Sequence, residues 1–343
     1  PLLAGDSVKA YIANSDDVST IGGVKAIVSH KSSKDLYEIL PNYLFRNGVD
    51  VVWRTANWGQ PPLHIEKYID HNGLADKYPD ADRRYDGVLV AGLAEEIEAC
   101  DKDKQLIVLH CSTSHGPKYF SKYPAEFEKF TPVCTSVEVS SVNRQELINA
   151  YDNTILYTDY LIHSVIETLK QVKDKRCCMI FVSDHGESLG EGDMIMHGTL
   201  PRRFAPKEQF EIPFIVWEND SCTKTKELGQ VEQFYVYHSV MNWFGMESPI
   251  YNENMNVFEP EKDTPIINKH KEEEEEIEAN TINEDTSFAT IHENPDRPHE
   301  VNTIIQTTDQ CPVECKTTAI IENDKMPFNN AFATARKKFK DKG

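Results

Sequence analysis

Residues 178–188 read CMIFVSDHGES. The run Cys178 to Ser183 is apolar up to its closing serine, and Asp184 to Ser188 are all polar or glycine. A short apolar run that ends in such a turn suits a strand buried on both faces, the kind found in parallel sheets covered by helices. Three other runs have the same character: Val49 to Trp53 (VDVVW), Gln105 to His110 (QLIVLH) and Ile212 to Trp217 (IPFIVW). Helical patterns separate them. Asn143, with Glu146 three residues on, makes a capping-box-like start. Leu147, Ile148, Ile155, Leu161, Ile162, Val165 and Leu169 then keep the helical period to Val172. A second helix is expected over Ser33 to Asn47, stopped by Asn47-Gly48. This alternation predicts an α/β domain over residues 1–258, with a central, largely parallel sheet flanked by helices. In such sheets ligands gather at the carboxyl ends of the strands.

After Phe258 the composition changes. Residues 259–343 hold a five-Glu run, Glu272 to Glu276, many Asn and Thr, few aromatics and a basic end, Ala335 to Lys342. This stretch is expected to be a disordered, acidic, low-complexity tail.

The whole chain has 343 residues and a formal net charge of −20. That balance argues against nucleic acid, whose phosphates demand a clustered positive face, and against simple attraction to an anionic membrane. No apolar run approaches the ~18 residues that span a bilayer, and no signal peptide opens the chain. It begins at Pro1 rather than Met and is read as part of a longer protein. The eight cysteines contain no CxxC pair, which leaves a four-cysteine zinc site without support. Cys177 and Cys178 read as buried thiols in a strand, while Cys311 and Cys315 are spaced for a local disulfide.

Asp184 and His185 carry the strongest chemical signal. Side by side at a strand end, they can converge on one cation if the backbone turns, and Gly186 permits a turn. Carboxylate plus imidazole is a zinc-type ligand pair, although an Asp-His dipeptide in a loop is often mere surface. Two further histidines sharpen the pattern. His115 lies just past the strand ending at His110, and His197 lies thirteen residues after Asp184 in a glycine-bordered loop. His110, His163 and His238 read instead as packing or surface residues.

At this point the sequence resembles a known family, the catalytic domains of the membrane-anchored phosphoethanolamine transferases of the alkaline phosphatase and sulfatase superfamily. Those enzymes modify lipid A and include the polymyxin-resistance proteins. The resemblance rests on Val51-Val52-Trp53-Arg54, Ser114-His115-Gly116-Pro117 with Tyr119 and Tyr123-Pro124, and Phe130-Thr131-Pro132 with Cys134. It continues through Asn149 to Thr154, Tyr157-Thr158-Asp159, Ser183 to Ser188, His197-Gly198 and Tyr251 to Phe258. The match runs in order from about Pro1 to Phe258.

The resemblance implies that Asp184 and His185 ligate a catalytic zinc. It implies that His115 and His197 line the substrate phosphate site, with room for a second zinc, and that Asn57 contacts the phosphoethanolamine group. The implied donor is phosphatidylethanolamine and the implied acceptor a phosphate of lipid A or lipooligosaccharide. The implied setting is the bacterial inner membrane, with an upstream transmembrane domain and the catalytic domain facing the periplasm. The family's threonine nucleophile and a glutamate ligand are expected upstream of Pro1, which would leave this stretch inactive alone. Ser19 and Thr20 are set aside because nothing around them has the family's pattern. A family lysine falls at Pro61, and the usual cysteine partner of Cys134 falls at Val142. Two other readings stay open: a soluble sulfatase or phosphodiesterase of the same superfamily, and a catalytically dead metal-binding or interaction module.

Overall fold

A computed structural model describes residues 2–3, 8–32, 37–138, 143–220 and 223–259, and the backbone of 316–322. The strands are β1 (Lys9–Asn14), β2 (Asp50–Thr55), β3 (Lys67–Asp70), β4 (Lys104–His110), β5 (Arg176–Val182), β6 (Ser188–Leu189), β7 (Ile195–Met196), β8 (Glu211–Glu218), β9 (Gln230–Glu232) and β10 (Lys316–Glu322). The helices are α1 (Thr20–Ile27), α2 (Leu40–Arg46), α3 (His71–Lys77), α4 (Leu93–Glu98), α5 (Arg144–Gln171) and α6 (Tyr235–Trp243). Among the described residues, eight strands form one sheet in the order β3-β2-β4-β10-β5-β8-β1-β9, and β6 pairs with β7 separately. Only the β5–β8 and β1–β8 pairings of the large sheet are antiparallel. The expected largely parallel α/β sheet is therefore present.

Strand residues alternate strictly between two apolar layers. Leu106 and Val108 of β4, Cys178, Ile180 and Val182 of β5, and Phe214 and Val216 of β8 join one layer with Val24 and Ile27 of α1, Leu44 of α2 and Val240 of α6. Ile107 and Leu109, Cys177, Met179 and Phe181, and Ile215 and Trp217 face the other, with Leu74 of α3, Ile97 of α4 and Val165, Ile166 and Leu169 of α5. Period-two side-chain placement explains why each run is apolar throughout: both faces are covered.

Local boundaries follow capping chemistry. Asn143 caps α5 through Gln145 N (2.8 Å). The helix expected over Ser33 to Asn47 is shorter among the described residues: residues 37–39 are not helical, and α2 begins at Leu40 with Pro41 in its first turn. Proline's missing N–H costs nothing there and its fixed φ suits a helix start. The stop is as expected, with Asn47 as C-cap and Gly48 at φ +86°. Cys134 and Cys178 are buried free thiols, and Cys177 is buried in β5 as expected; Cys222, Cys311 and Cys315 lie outside the described residues.

Six strands, β1, β3, β6, β7, β9 and β10, have no counterpart in the sequence reading, and the last is the most telling. Within the stretch expected to be a tail, β10 lies between β4 and β5 and pairs in parallel with both. Its register sets Glu322 opposite His110 and Val182, at the strand ends where the polar loops begin.

Candidate active site

The loops leaving β2, β4 and β5 at their carboxyl ends, together with the start of α1, build one polar cluster. Ser183, Asp184 and His185 follow β5 directly and are buried. Their backbone is held from above by Gln233, whose Nε2 donates to the carbonyls of Ser183 (2.8 Å) and Asp184 (2.7 Å). Two glycines permit close approach. A methyl group on Gly23 would fall 2.0 Å from Asp184 O, so α1 seats directly on the Asp184 backbone. One on Gly186 would fall 2.0 Å from Glu208 O. Gly186 therefore serves here through its missing side chain, with its N–H also bonded to Gln209 O (2.9 Å).

Three histidines meet at this point. The His185 and His197 ring centroids are 3.8 Å apart, and those of His197 and His115 are 5.5 Å apart. Each Nδ1 faces an oxygen acceptor: Gly186 O at 2.9 Å for His185, Gly116 O at 2.7 Å for His115, and Glu187 Oε1 at 2.8 Å for His197. A carbonyl or carboxylate oxygen can only accept, so Nδ1 carries the proton in all three, and in the neutral ring Nε2 keeps its lone pair. Such outer partners are what hold an imidazole in ligand geometry. Glu187 is itself buried, its Oε2 accepting from Tyr119 Oη (2.7 Å).

His185 Nε2 faces two oxygens at 3.4 Å, Asp184 Oδ2 and Thr20 Oγ1. Thr20, which its sequence surroundings do not mark, thus stands in the site together with Asp184 and His185. It is the first residue of α1, held there by Ser19, whose Oγ accepts from Gly22 N. The legible trace is Ser19-Thr20 followed by Gly22-Gly23 just past β1: a cap, a hydroxyl and a glycine where the helix must touch another chain segment. Recognising it requires knowing that Asp184 lies across the contact. The sequence reading sets Thr20 aside and expects the threonine nucleophile upstream of Pro1; the structure places the Thr20 hydroxyl beside His185.

Asn57 is placed at the rim by backbone ties. Its Nδ2 donates to Cys111 O (3.1 Å) and its Oδ1 accepts from Trp58 N (2.9 Å). The loop after β4 is held from two sides. Asp86 Oδ2 accepts from Ser112 N (2.6 Å) and Thr113 Oγ1 (2.5 Å), and Thr154 Oγ1 of α5 lies 2.9 Å from Ser114 Oγ. His110 packs at the strand end, its Nδ1 3.1 Å from Thr55 Oγ1, and His238 bonds His30 O (2.9 Å) and Asn252 N (3.1 Å).

The donor set tests the fit to zinc. Asp184 and His185 supply oxygen and nitrogen with Thr20 Oγ1 beside them, a chemistry that suits zinc. Among the described residues, no group of three or more His, Cys, Asp or Glu side chains is placed to hold a metal ion. The pair fits as part of a site, and a catalytic zinc takes three protein ligands.

A sheet with its polar loops gathered at the carboxyl ends of parallel strands defines an α/β protein whose cleft is built from those loops. The sulfatase family model matches residues 13–246, more than half of the chain, and the chain belongs to that family. Phosphoethanolamine transferase EptA of Helicobacter pylori is 37% identical over 248 residues, 71% of this chain and 47% of that protein. EptA of Escherichia coli K12 is 37% identical over 189 residues, 54% of this chain and 34% of that protein. The chain spans about half or less of the length of these curated relatives. Among solved structures, the C-terminal periplasmic domain of phosphoethanolamine transferase EptC from Campylobacter jejuni superposes with TM-score 0.64 at 29% identity, covering 74% of this chain and 83% of that one. The soluble domain of lipooligosaccharide phosphoethanolamine transferase A from Neisseria meningitidis gives 0.67 at 27% identity, covering 76% and 86%.

Proposed function

We propose that this chain is the catalytic part of a phosphoethanolamine transferase that moves the group from phosphatidylethanolamine to a phosphate of lipid A or lipooligosaccharide, with Thr20 as the nucleophile. The observation that carries this is the meeting of Thr20 Oγ1 and Asp184 Oδ2 at His185 Nε2, each 3.4 Å away, at the capped start of α1. Asp184, His185 and the Thr20 hydroxyl would hold a zinc ion, which supplies a lowered hydroxyl pKa and electrophilic charge when bound. Thr20 Oγ1 then attacks the donor phosphorus, diacylglycerol leaves, and phosphoethanolamine stays on Thr20 until an acceptor phosphate takes it. His115 and His197, with Nε2 turned away from their Nδ1 partners, line the phosphate site, and in the imidazolium form their Nε2–H groups would donate to the phosphoryl oxygens in both steps. His115 and His197 also offer donors for a second zinc. The N–H groups at the start of α1 add to the positive field at the phosphate. No helix among the described residues is long and apolar enough to cross a membrane. On this reading the domain sits at the bacterial inner membrane facing the periplasm, held through a transmembrane domain upstream; the likeness to a C-terminal periplasmic domain of EptC supports it.

The test is to incubate the chain with zinc and detergent-dispersed phosphatidylethanolamine and to map the intact-mass increase. One phosphoethanolamine on Thr20, lost in Thr20→Ala and transferred when lipid A is added, is the expected result. Release of free phosphoethanolamine to water with no adduct and no dependence on acceptor would replace the transferase by a hydrolase of the same family.

A further inference from the structure

The three most exposed large apolar side chains among the described residues are Trp58 (62%), Phe204 (61%) and Ile21 (58%). Single exposed apolar residues are ordinary, but these three stand on the segments that carry the site. Ile21 follows Thr20, Trp58 follows Asn57, and Phe204 lies on the loop that leaves His197. The segments also touch. A methyl group on Gly59 would lie 3.0 Å from Thr20 Cγ2 and 3.5 Å from Ile21 Cγ1, and one on Gly198 would lie 3.5 Å from Val18 O. Arg202 Nε ties the same loop to Ser15 O at 2.7 Å. Leu200, on the same loop as Phe204, is exposed as well, and the Arg203 guanidinium lies 4.7 Å over the Phe204 ring.

Clustered apolar groups around one opening mark an interaction surface. Aromatic rings joined to a guanidinium are the composition that sits at the headgroup boundary of a bilayer, ring inward and cation beside phosphate. We propose that Trp58, Phe204 and Ile21 form a docking rim that enters the surface of a phospholipid bilayer around Thr20. The inference rests on the lipid-donor reading. A two-chain phospholipid keeps its acyl chains in the bilayer, so its phosphate reaches Thr20 only where the rim meets the interface. With a net charge of −20 the chain is not drawn to lipid by its overall field, so contact depends on apolar insertion helped by Arg203.

The chain carries its own reporter, because Trp53, Trp217 and Trp243 are buried and Trp58 is not. With vesicles of phosphatidylcholine and phosphatidylethanolamine bearing brominated acyl chains, Trp58 emission should shift to the blue and be quenched, and should stay so in high salt. Phe204→Ser and Ile21→Ser should each weaken vesicle co-sedimentation about tenfold. Trp58→Phe should remove the optical signal while sedimentation persists. Leu200→Ser, with unchanged far-UV circular dichroism, supplies a further variant should either serine substitution disturb folding. Failure of the chain to sediment with vesicles, or sedimentation indifferent to these variants, overturns the rim. So does a dimer in sedimentation velocity that Phe204→Ser dissolves, since the surface would then pair two copies. Vesicles of phosphatidylcholine alone separate the two readings. Docking there with no adduct on Thr20 from either lipid leaves the rim and removes the donor. An adduct from detergent-dispersed phosphatidylethanolamine without vesicle docking leaves the donor and removes the rim.

Discussion

The two halves of α5 carry opposite kinds of buried surface. From Asn149 to Asp159 the inner face is mostly polar: Asn149, Asp152, Asn153, Thr154, Thr158 and Asp159 are buried with Tyr151 and Tyr157. These side chains hold chain segments rather than fill space. Asn153 Oδ1 accepts from the backbone N–H groups of Lys129 and Phe130, both at 2.9 Å, while its Nδ2 donates to Phe130 O at 2.9 Å. Asn149 Nδ2 donates to Pro132 O (2.8 Å), and Tyr157 Oη accepts from Gly87 N (2.9 Å). From Ile162 to Leu169 the inner face is Ile, Val and Leu packed on the sheet. One helix thus fixes the loops that present His115 with its first half and anchors the fold with its second. A hydrogen bond has direction and sets position, whereas apolar burial has none and supplies stability in proportion to area.

That contrast can be broken or sharpened by experiment. The largest effect is expected outside both halves: Thr20→Ala should lower the rate of phosphoethanolamine transfer by more than ~10³-fold, because no other group replaces the nucleophile. Asn153→Ala and Leu169→Ala then test the helix itself. Leu169→Ala should cost ~2–5 kcal/mol in urea unfolding, with the transfer rate of the folded fraction unchanged. Asn153→Ala removes the side chain that holds Lys129 N, Phe130 N and Phe130 O and should cost ~1–3 kcal/mol. It should also lower the transfer rate and raise proteolytic cutting within 112–134; if only stability falls, the polar half is no more than scaffold.

A smaller effect concerns pH. Burial lowers the pKa of His238, with the hydrogen bond to His30 O opposing. The unfolded chain therefore binds the proton at a higher pH than the folded one. Stability is fully present above the ordinary histidine range near ~6.5 and is lost as pH falls through it toward the lower folded value. Urea midpoints should be lower at about pH 5 than at about pH 7, and the difference should shrink in His238→Gln. The smallest effect is at the surface. The exposed Arg46–Glu38 pair, 2.7 Å apart, should contribute ~1 kcal/mol or less in a double-mutant cycle.

Much of the sheet was legible because its strands are buried on both faces, which forces apolar character onto every position. The four runs seen in sequence are β2, β4, β5 and β8, each shifted by no more than two residues at either end. The edge strands β3 and β9 are short and partly exposed, so no such constraint marks them. The helix start at Leu40 rather than Ser33 went unseen because the pattern before Pro41 also fits an extended lead-in. Strand β10 could not be read, since a parallel neighbour is chosen by register across the sheet and not by nearby residues.

The sequence by itself determined the α/β class, the long helix with its Asn143 cap, and the chemistry available at Asp184, His185, His115 and His197. Residue type and spacing carry those, because burial period and ligand chemistry are local properties. Tertiary structure decided which groups meet. It brought Thr20 to His185 through the close contact that Gly23 allows, oriented His197 by Glu187, and tied the Asn57 amide to the Cys111 carbonyl of the neighbouring loop. It also ringed the opening with Trp58, Phe204 and Ile21, residues far apart in the chain. The physical reason is that a site is a set of distances, and distances between remote residues are fixed only when the sheet and its helices close on one core.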